Sequence, residues 1–324
     1  MDTFGRTVDY LRISVTDRCN ERCRYCRPEG YETAERRPGP LTAEQILRVV
    51  RVAVELGFRN FRLTGGEPLA RRDLPRIVAG MARTRGLRGL GLSTNAAKLA
   101  ALARPLREAG LGTVNISLDA LNPALYHHLS GGSLAPVLAG IRAAVAAGFE
   151  CVKLNTVLMR GLNEQEIWPL VLFAAEHRLP LRFIELMPVT TLEVLSGPCF
   201  FSVADAKRLL SQRDELVAAA SAPAGWGPAK YYRLRQTGAV VGFIAAMTER
   251  RFCETCNRVR LTADGRIRPC LGQPEERDLR ACLRDPASDD AIRTALAAAI
   301  AGKPLRHSFC RPGPPGRPMV AIGG

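Results

Sequence analysis

The chain has 324 residues, 47% of them apolar and 24% charged, with a formal net charge of +15. That length suits one large α/β unit plus an extension, and no apolar run approaches the roughly 18 residues of a membrane span, which excludes a helix-anchored membrane protein. The positive charge concentrates anions near the protein, as a solvated Arg-rich face, a nucleic-acid interface or a polyphosphate site.

In chain order, residues 1–6 carry no apolar stretch of signal-peptide type, so a cytoplasmic location is expected. In that reducing compartment the ten cysteines favour metals or catalysis over disulfides. β-prone runs follow at 11–15, 61–64, 90–93, 114–118, 152–157 and 181–185. Helical patterns separate them. Thr42 and Gln45 form a capping box opening a helix that runs through Leu56, with Gly57 as its stop. Asp73 is placed to cap the next helix, with Pro75 in its first turn, and Asn163 to cap one running to His177. Six βα units in about 190 residues predict a parallel sheet with right-handed crossovers. A full eightfold barrel takes about 250 residues, so the expected fold is α/β, a partial (βα)6 TIM-like barrel. Its site belongs at the C-terminal ends of the strands. The cysteines of 19–26 and the segments 65–68, 93–95, 117–119 and 185–187 all fall there. Beyond about residue 195 the alternation stops. A short helix, a Pro/Gly/Ala-rich stretch at 221–228, β-like segments at 231–234 and 240–244, and a non-helical Pro-rich tail at 311–318 follow. This predicts a barrel unit at 1–195 and a C-terminal extension at 196–324.

Cys19, Cys23 and Cys26 form C-x3-C-x2-C. Three thiolates can hold three irons of a four-iron cluster and leave the fourth open to a ligand. A structural zinc takes four protein ligands, and no fourth Cys or His lies nearby. This spacing, followed by Gly65-Gly66-Glu67-Pro68, resembles the radical S-adenosylmethionine superfamily. The segments 11–19, 63–69, 115–120, 182–185 and 252–261, with the Gly-Gly end, resemble one branch of it over nearly the whole chain, the GTP 3′,8-cyclases of molybdenum cofactor biosynthesis.

The resemblance implies that Cys19, Cys23 and Cys26 hold the cluster that binds S-adenosylmethionine, with Tyr25, Gly66, Ser117 and Met187 around that cofactor. Gly66 would let backbone carbonyls approach the methionine amino group. It places Arg12, Arg62, Ser93, Lys153, Arg258, Val259 and Arg260 on GTP, with Arg182 as a weaker candidate. It also brings Gly323 and Gly324 into the cleft to assist turnover, beside Arg12, Arg258 and Arg260. The implied chemistry is abstraction of the ribose C3′ hydrogen by a 5′-deoxyadenosyl radical, attack of C3′ on guanine C8, and delivery of one electron. The product is (8S)-3′,8-cyclo-7,8-dihydroguanosine 5′-triphosphate, passed to a cyclic pyranopterin monophosphate synthase. An electron donor is required, a homodimer is allowed, and neither nucleic acid nor membrane is an expected partner.

Cys253, Cys256 and Cys270 form C-x2-C-x13-C. Alone, this could begin a zinc ribbon with Cys282, Cys310 or His307 as fourth ligand, although Cys270 lacks the paired cysteine of a ribbon. Beside the first triplet, a second four-iron cluster is favoured, and the resemblance puts the purine at its open iron. Arg258 and Arg260 share a strand face, and two guanidiniums on one face suit a triphosphate. Arg12, Arg62 and Lys153 lie inside β-prone runs, where a charge needs a buried partner or an anion. Cys151, Cys199, Cys282 and Cys310 match no ligand position and read as buried or incidental thiols. Glu21, Arg27, Ser93 and Ala96 depart from the residues usual in the family. Two other readings compete: a radical enzyme whose auxiliary cluster serves a peptide, and a basic zinc protein binding nucleic acid.

Overall fold

The computed structural model describes residues 1–27, 39–189, 199–284, 289–309 and 317–323. The expected boundary after residue 195, Cys310, most of the Pro-rich tail and Gly324 lie outside the described residues.

Six strands form the centre of one sheet: β1 (Tyr10–Ser14), β2 (Asn60–Thr64), β3 (Gly89–Thr94), β4 (Thr113–Ser117), β5 (Cys151–Leu158) and β6 (Leu181–Glu185). They are parallel and adjacent in sequence order. The crossovers carry α1 (Ala43–Glu55), α2 (Leu74–Ala82), α3 (Leu99–Glu108), the pair α4 (Pro123–Ser130) and α5 (Leu134–Ala146), and α6 (Ile167–Glu176). This is the expected six-unit βα barrel wall. No single helix among the described residues is long and apolar enough to cross a membrane.

Local chemistry accounts for most of these bounds. Thr42 Oγ1 accepts from the Gln45 amide at 3.2 Å and Gln45 Oε1 from the Thr42 amide at 3.0 Å, the reciprocal capping box. Ile46, Val49, Val50 and Ala53 then recur at helical spacing and are buried. Gly57, at φ +99°, takes the chain out of α1. Two expected caps fail. Asp73 occupies the N-cap of α2, but its carboxylate takes the Arg71 guanidinium, at 2.7 and 3.1 Å, instead of a helix amide. Asn163 is fully buried and does not cap. Its side chain ties Met159 N, Asp119 O and Val157 O together, at 2.8 to 3.0 Å, beneath the end of β5.

The C-terminal residues extend this sheet at both edges. β9 (Val240–Ile244) pairs parallel with β6 and carries antiparallel β8 (Lys230–Leu234) and β7 (Leu216–Ala218). β10 (Arg258–Leu261) pairs parallel with β1 and carries antiparallel β11 (Arg266–Arg268) and β12 (Arg277–Asp278). The result is a sheet of 12 strands in which neither β1 nor β6 is an edge. Three helices complete the described residues: α7 (Val203–Ser211), α8 (Asp290–Ala301) and α9 (Met319–Ile322). Along β1, Leu11 and Ile13 are buried in the apolar core beneath the helices. Tyr10 and Arg12 alternate with them and line the cavity inside the curved sheet.

Candidate active site

The curved sheet encloses a cavity of 310 Å³. Strand direction fixes its layout. The loop after β1 brings Cys19, Cys23 and Cys26 to the C-terminal ends of the strands. Cys256 stands two residues before β10, which runs parallel to β1, and Cys270 follows the antiparallel β11. The second triplet is therefore at the opposite, N-terminal end. Both triplets line the same cavity, with Arg12, Arg62, Lys153, Arg182, Arg258 and Arg260 on the strands between them.

At the upper end, the Gly65–Gly66 turn after β2 clamps the cysteine loop. Gly66 N donates to Thr16 O at 2.8 Å and Glu67 N to Arg18 O at 2.7 Å. A Cβ on Gly66 would overlap the Arg18 carbonyl, and one on Gly65, at φ +155°, the Thr16 carbonyl. The missing side chain of Gly66 is thus required by the cysteine loop itself, a use the sequence did not reveal. Glu67 accepts from Leu69 N at 3.0 Å, Thr94 Oγ1 at 2.6 Å and Asn95 N at 2.7 Å. Its carboxylate so ties the ends of β2 and β3 together. Tyr25 donates its hydroxyl to Asp119 Oδ2 at 2.8 Å, which anchors the loop to the end of β4. Glu21 is buried, and its Oε1 accepts from the Tyr126 hydroxyl at 2.9 Å. Burial pushes Glu21 and Glu67 up to about 7 and Asp119 up to about 6. Burial likewise pushes the thiols of Cys19 up to about 11 and of Cys26 up to about 12. Ala96 stands at φ +62°, in the left-handed region that favours glycine.

The middle of the cavity is cationic. Arg12 lies in register with Arg62 on one side and Arg260 on the other. Burial, together with the neighbouring guanidiniums Arg62 and Arg258, lowers Arg12 to about 10 despite the opposing pull of Tyr10. Burial and then Arg12 and Arg258 push Arg260 well below its ordinary value. Arg258 lies over the Tyr10 ring at 5.9 Å, and its buried Nε has no hydrogen-bond partner among the described residues. Several mutually repelling, desolvated cations are costly unless an anion joins them.

The other expected cations also meet protein groups. Arg62 lines the cavity and donates to Tyr10 Oη at 2.8 Å, Leu92 O at 2.7 Å and Thr113 Oγ1 at 3.1 Å, three of the five donors of its guanidinium. Lys153 donates to Pro223 O at 3.4 Å and to Ala224 O, and burial beside Arg182 lowers it to about 8. Arg182 donates from Nε to Asn155 Oδ1 at 2.8 Å. Ser93, Ser117 and Met187 line the cavity at strand ends. Val259 does not: it lies 1% exposed in the core between the two arginines. Gly323 lies against Ser14 and Thr64, and its carbonyl accepts from Arg260 Nη1 at 2.9 Å, so the tail returns to the cationic layer.

Tyr10, Trp226 and Lys303 are among the lining residues that the sequence did not single out. Tyr10 accepts from Arg62 and lies beneath Arg258. Trp226, inside the Pro/Gly/Ala-rich stretch, plugs the N-terminal end of the barrel. Its ring stands 5.8 Å from that of Tyr10 and 5.7 Å from the Arg62 guanidinium. A Cβ on Gly89 would overlap its indole. Lys303, after α8, approaches the second triplet. A lone aromatic in a glycine-rich coil was the available signal for Trp226; nothing local marked Lys303.

The three thiols after β1 fit the three-thiolate side of an iron–sulfur cluster. A zinc ion needs its ligands converged at about 2.0–2.3 Å on one point, and no group of three His, Cys, Asp or Glu among the described residues does so. A cluster spreads its thiolates over separate corners and makes no such demand. His307, a candidate fourth zinc ligand, holds Nε2 on Ala246 O at 2.8 Å and leaves its buried Nδ1 without a hydrogen-bond partner among the described residues. Burial opposes the Cys256 thiolate, yet Arg258 and Lys303 draw that thiol down to about 7, whereas burial pushes the Cys270 thiol up.

Comparison with known proteins agrees with this layout. The profile of the Radical SAM superfamily matches residues 13–174, and that of Molybdenum Cofactor Synthesis C matches residues 179–309. The chain is 43% identical over 324 residues to the GTP 3′,8-cyclase of Pelotomaculum thermopropionicum, covering 100% of this chain and 99% of that protein. It is 44% identical over 316 residues to GTP 3′,8-cyclase 1 of Pseudomonas aeruginosa, covering 97% and 95%. Among solved structures, Streptococcus suis SuiB bound to S-adenosylmethionine matches with TM-score 0.59 at 16% identity, over 87% of this chain and 64% of that one. SuiB bound to precursor peptide SuiA matches with TM-score 0.61 at 18% identity, over 89% and 67%. These structural likenesses establish a shared fold.

Proposed function

We propose that this chain, which belongs to the radical S-adenosylmethionine superfamily and within it to the GTP 3′,8-cyclases, converts GTP to (8S)-3′,8-cyclo-7,8-dihydroguanosine 5′-triphosphate, the first step of molybdenum cofactor biosynthesis. The observation that carries the site assignment is one cavity with a thiol triplet at each end and buried cations between them. Cys19, Cys23 and Cys26 would hold a four-iron cluster which, with S-adenosylmethionine bound, would supply radical hydrogen-abstraction chemistry at the ribose. Tyr25, Gly66, Ser117 and Met187 border the place for that cofactor at the upper end. Arg12, Arg258 and Arg260 hold the triphosphate, whose roughly four negative charges offset their mutual repulsion as water is excluded. Arg62, Ser93, Lys153 and Arg182 border the nucleotide, and Arg62 also fixes Tyr10 and the strand ends around it. Holding C3′ close to C8 supplies much of the rate, since the bond then forms within one positioned molecule.

The reading includes a second four-iron cluster on Cys253, Cys256 and Cys270 that meets the purine. It also includes turnover assisted by Gly323 and Gly324, a cytoplasmic electron donor, and hand-over of product to a cyclic pyranopterin monophosphate synthase. Anaerobic reconstitution with iron counting, followed by product analysis with GTP and S-adenosylmethionine, tests it. Two clusters' worth of iron and cyclised product are expected. In Cys270→Ser, deoxyadenosine formation is retained and cyclised product is lost. Normal product from Cys270→Ser removes the second cluster from the reaction, and tightly bound zinc in place of iron sinks the reading altogether.

A further inference from the structure

Three buried cations brace the loops that carry the second thiol triplet. Arg6 donates from Nη1 to Cys253 O at 2.9 Å, and Arg268 from Nε to Cys270 O at 3.1 Å. Lys303 donates from Nζ to Arg258 O at 2.8 Å and to Pro269 O at 3.0 Å. Those two carbonyls belong to the residue two after Cys256 and the residue just before Cys270, so one ammonium joins both ligand-bearing segments. The three residues are 8%, 1% and 3% exposed. Arg6 has its carboxylate in Asp2, and Arg268 has one in Glu276 at 3.0 Å. Lys303 has no carboxylate partner among the described residues; beyond the two carbonyls, its charge acts on the thiols of Cys256 and Cys270. A buried charge is retained where an opposite charge joins it.

We propose that Lys303 is the buried counter-ion of the iron–sulfur cluster on Cys253, Cys256 and Cys270, a positioning residue that draws the two ligand segments together and raises the reduction potential of that cluster. The inference rests on reading this triplet as a cluster site. Three thiolates around a four-iron core carry net negative charge, which grows by one on reduction. A fixed cation inside the low-dielectric wall stabilises the reduced form more than the oxidised one. Lys303 therefore makes the centre easier to reduce than the same thiolates would alone.

The test is iron counting together with redox titration followed by electron paramagnetic resonance, on full-length, anaerobically reconstituted protein. Lys303→Gln keeps a donor for the carbonyls and removes the charge. Its second-cluster midpoint is expected to shift to lower potential while the first cluster's stays fixed. Lys303→Met removes charge and donor, and about half the iron is expected to be lost. Lys303→Arg is expected to restore iron and most of the potential. Unchanged iron and potential in both neutral variants would overturn the proposal, as would failure of Lys303→Arg to rescue a Lys303→Gln protein that has lost its second cluster. A wild-type chain holding only one cluster's iron would instead sink the underlying reading, so the two failures are told apart.

Discussion

Arg258 and Arg260 point from one strand face into the space between the two thiol ends. A charge-assisted hydrogen bond lost from such a site costs about 1.5–3 kcal/mol. Arg258→Ala and Arg260→Ala are each expected to weaken GTP binding by about one to two orders of magnitude. Cleavage of S-adenosylmethionine should persist, because the first triplet is untouched. Equilibrium binding of GTP decides this, and unaltered affinity in both variants would remove the pair from the nucleotide site. Lys153 gives a pH dependence with a definite sign. Its folded value lies near 8, below the ordinary 10.5, because burial and Arg182 disfavour the ammonium. A bound triphosphate favours the ammonium, so binding takes up a proton above that value. GTP affinity is therefore expected to hold below pH 8 and to fall as pH rises through it, by at most about tenfold per unit. Calorimetry in buffers of different ionisation enthalpy should show the proton uptake, and Lys153→Arg should flatten the profile. A pH-independent affinity for wild type between 7 and 9 contradicts it.

At the scale of elements, the turn after β2 is the support of the first cysteine loop. Gly66 lies so close to the loop backbone that a methyl group cannot be accommodated without moving Arg18 and, with it, Cys19. Gly66→Ala is expected to lose the iron held by Cys19, Cys23 and Cys26, about half the total, and with it deoxyadenosine formation. Signals from the second triplet should survive, because β10 and β11 hold it at the other end of the strands. Full iron loading and normal cofactor cleavage in Gly66→Ala would show that the loop tolerates displacement. The same logic explains why Glu67 is buried: one carboxylate collects two amides and a hydroxyl from the ends of β2 and β3, which fixes the rim on which the loop rests.

At the scale of the whole molecule, the C-terminal residues close the barrel wall. β9 covers the free side of β6, and β10 covers the free side of β1. Without them both inner strands would present unpaired backbone and their apolar residues, among them Leu11, Ile13 and Phe183, to solvent. Residues 1–189 expressed alone are therefore expected to aggregate, and coexpression with residues 199–324 to recover soluble complex. Size-exclusion chromatography distinguishes the cases, and a monodisperse monomer of the shorter piece would show that the wall is stable unclosed. Closure also has a chemical consequence: the second triplet and Arg258 and Arg260 belong to the same segments that seal the edge of β1.

Much of this was legible in the sequence because it is local. Strand alternation placed six strands within a residue or two, and β6 at its observed limits. The Thr42–Gln45 box marked α1, and the cysteine spacings marked both ends of the cavity. What escaped depends mostly on distant partners. Asn163 has the residue type of a helix cap, yet the fold brings Asp119 O to its side chain; Asp73 is taken instead by Arg71, a near neighbour whose reach the residue type alone does not show. The bonds of Arg62 to Tyr10, Leu92 and Thr113, 30 to 52 residues away, have no trace in the local sequence. Lys303 has no local signature at all, and Trp226 only that of a lone aromatic in a glycine-rich coil. Spacing along a chain records which face a side chain will share with its neighbours. Whether a buried charge is then spent on the protein or left for a ligand depends on strands and loops that arrive from tens or hundreds of residues away, and only the folded chain decides it.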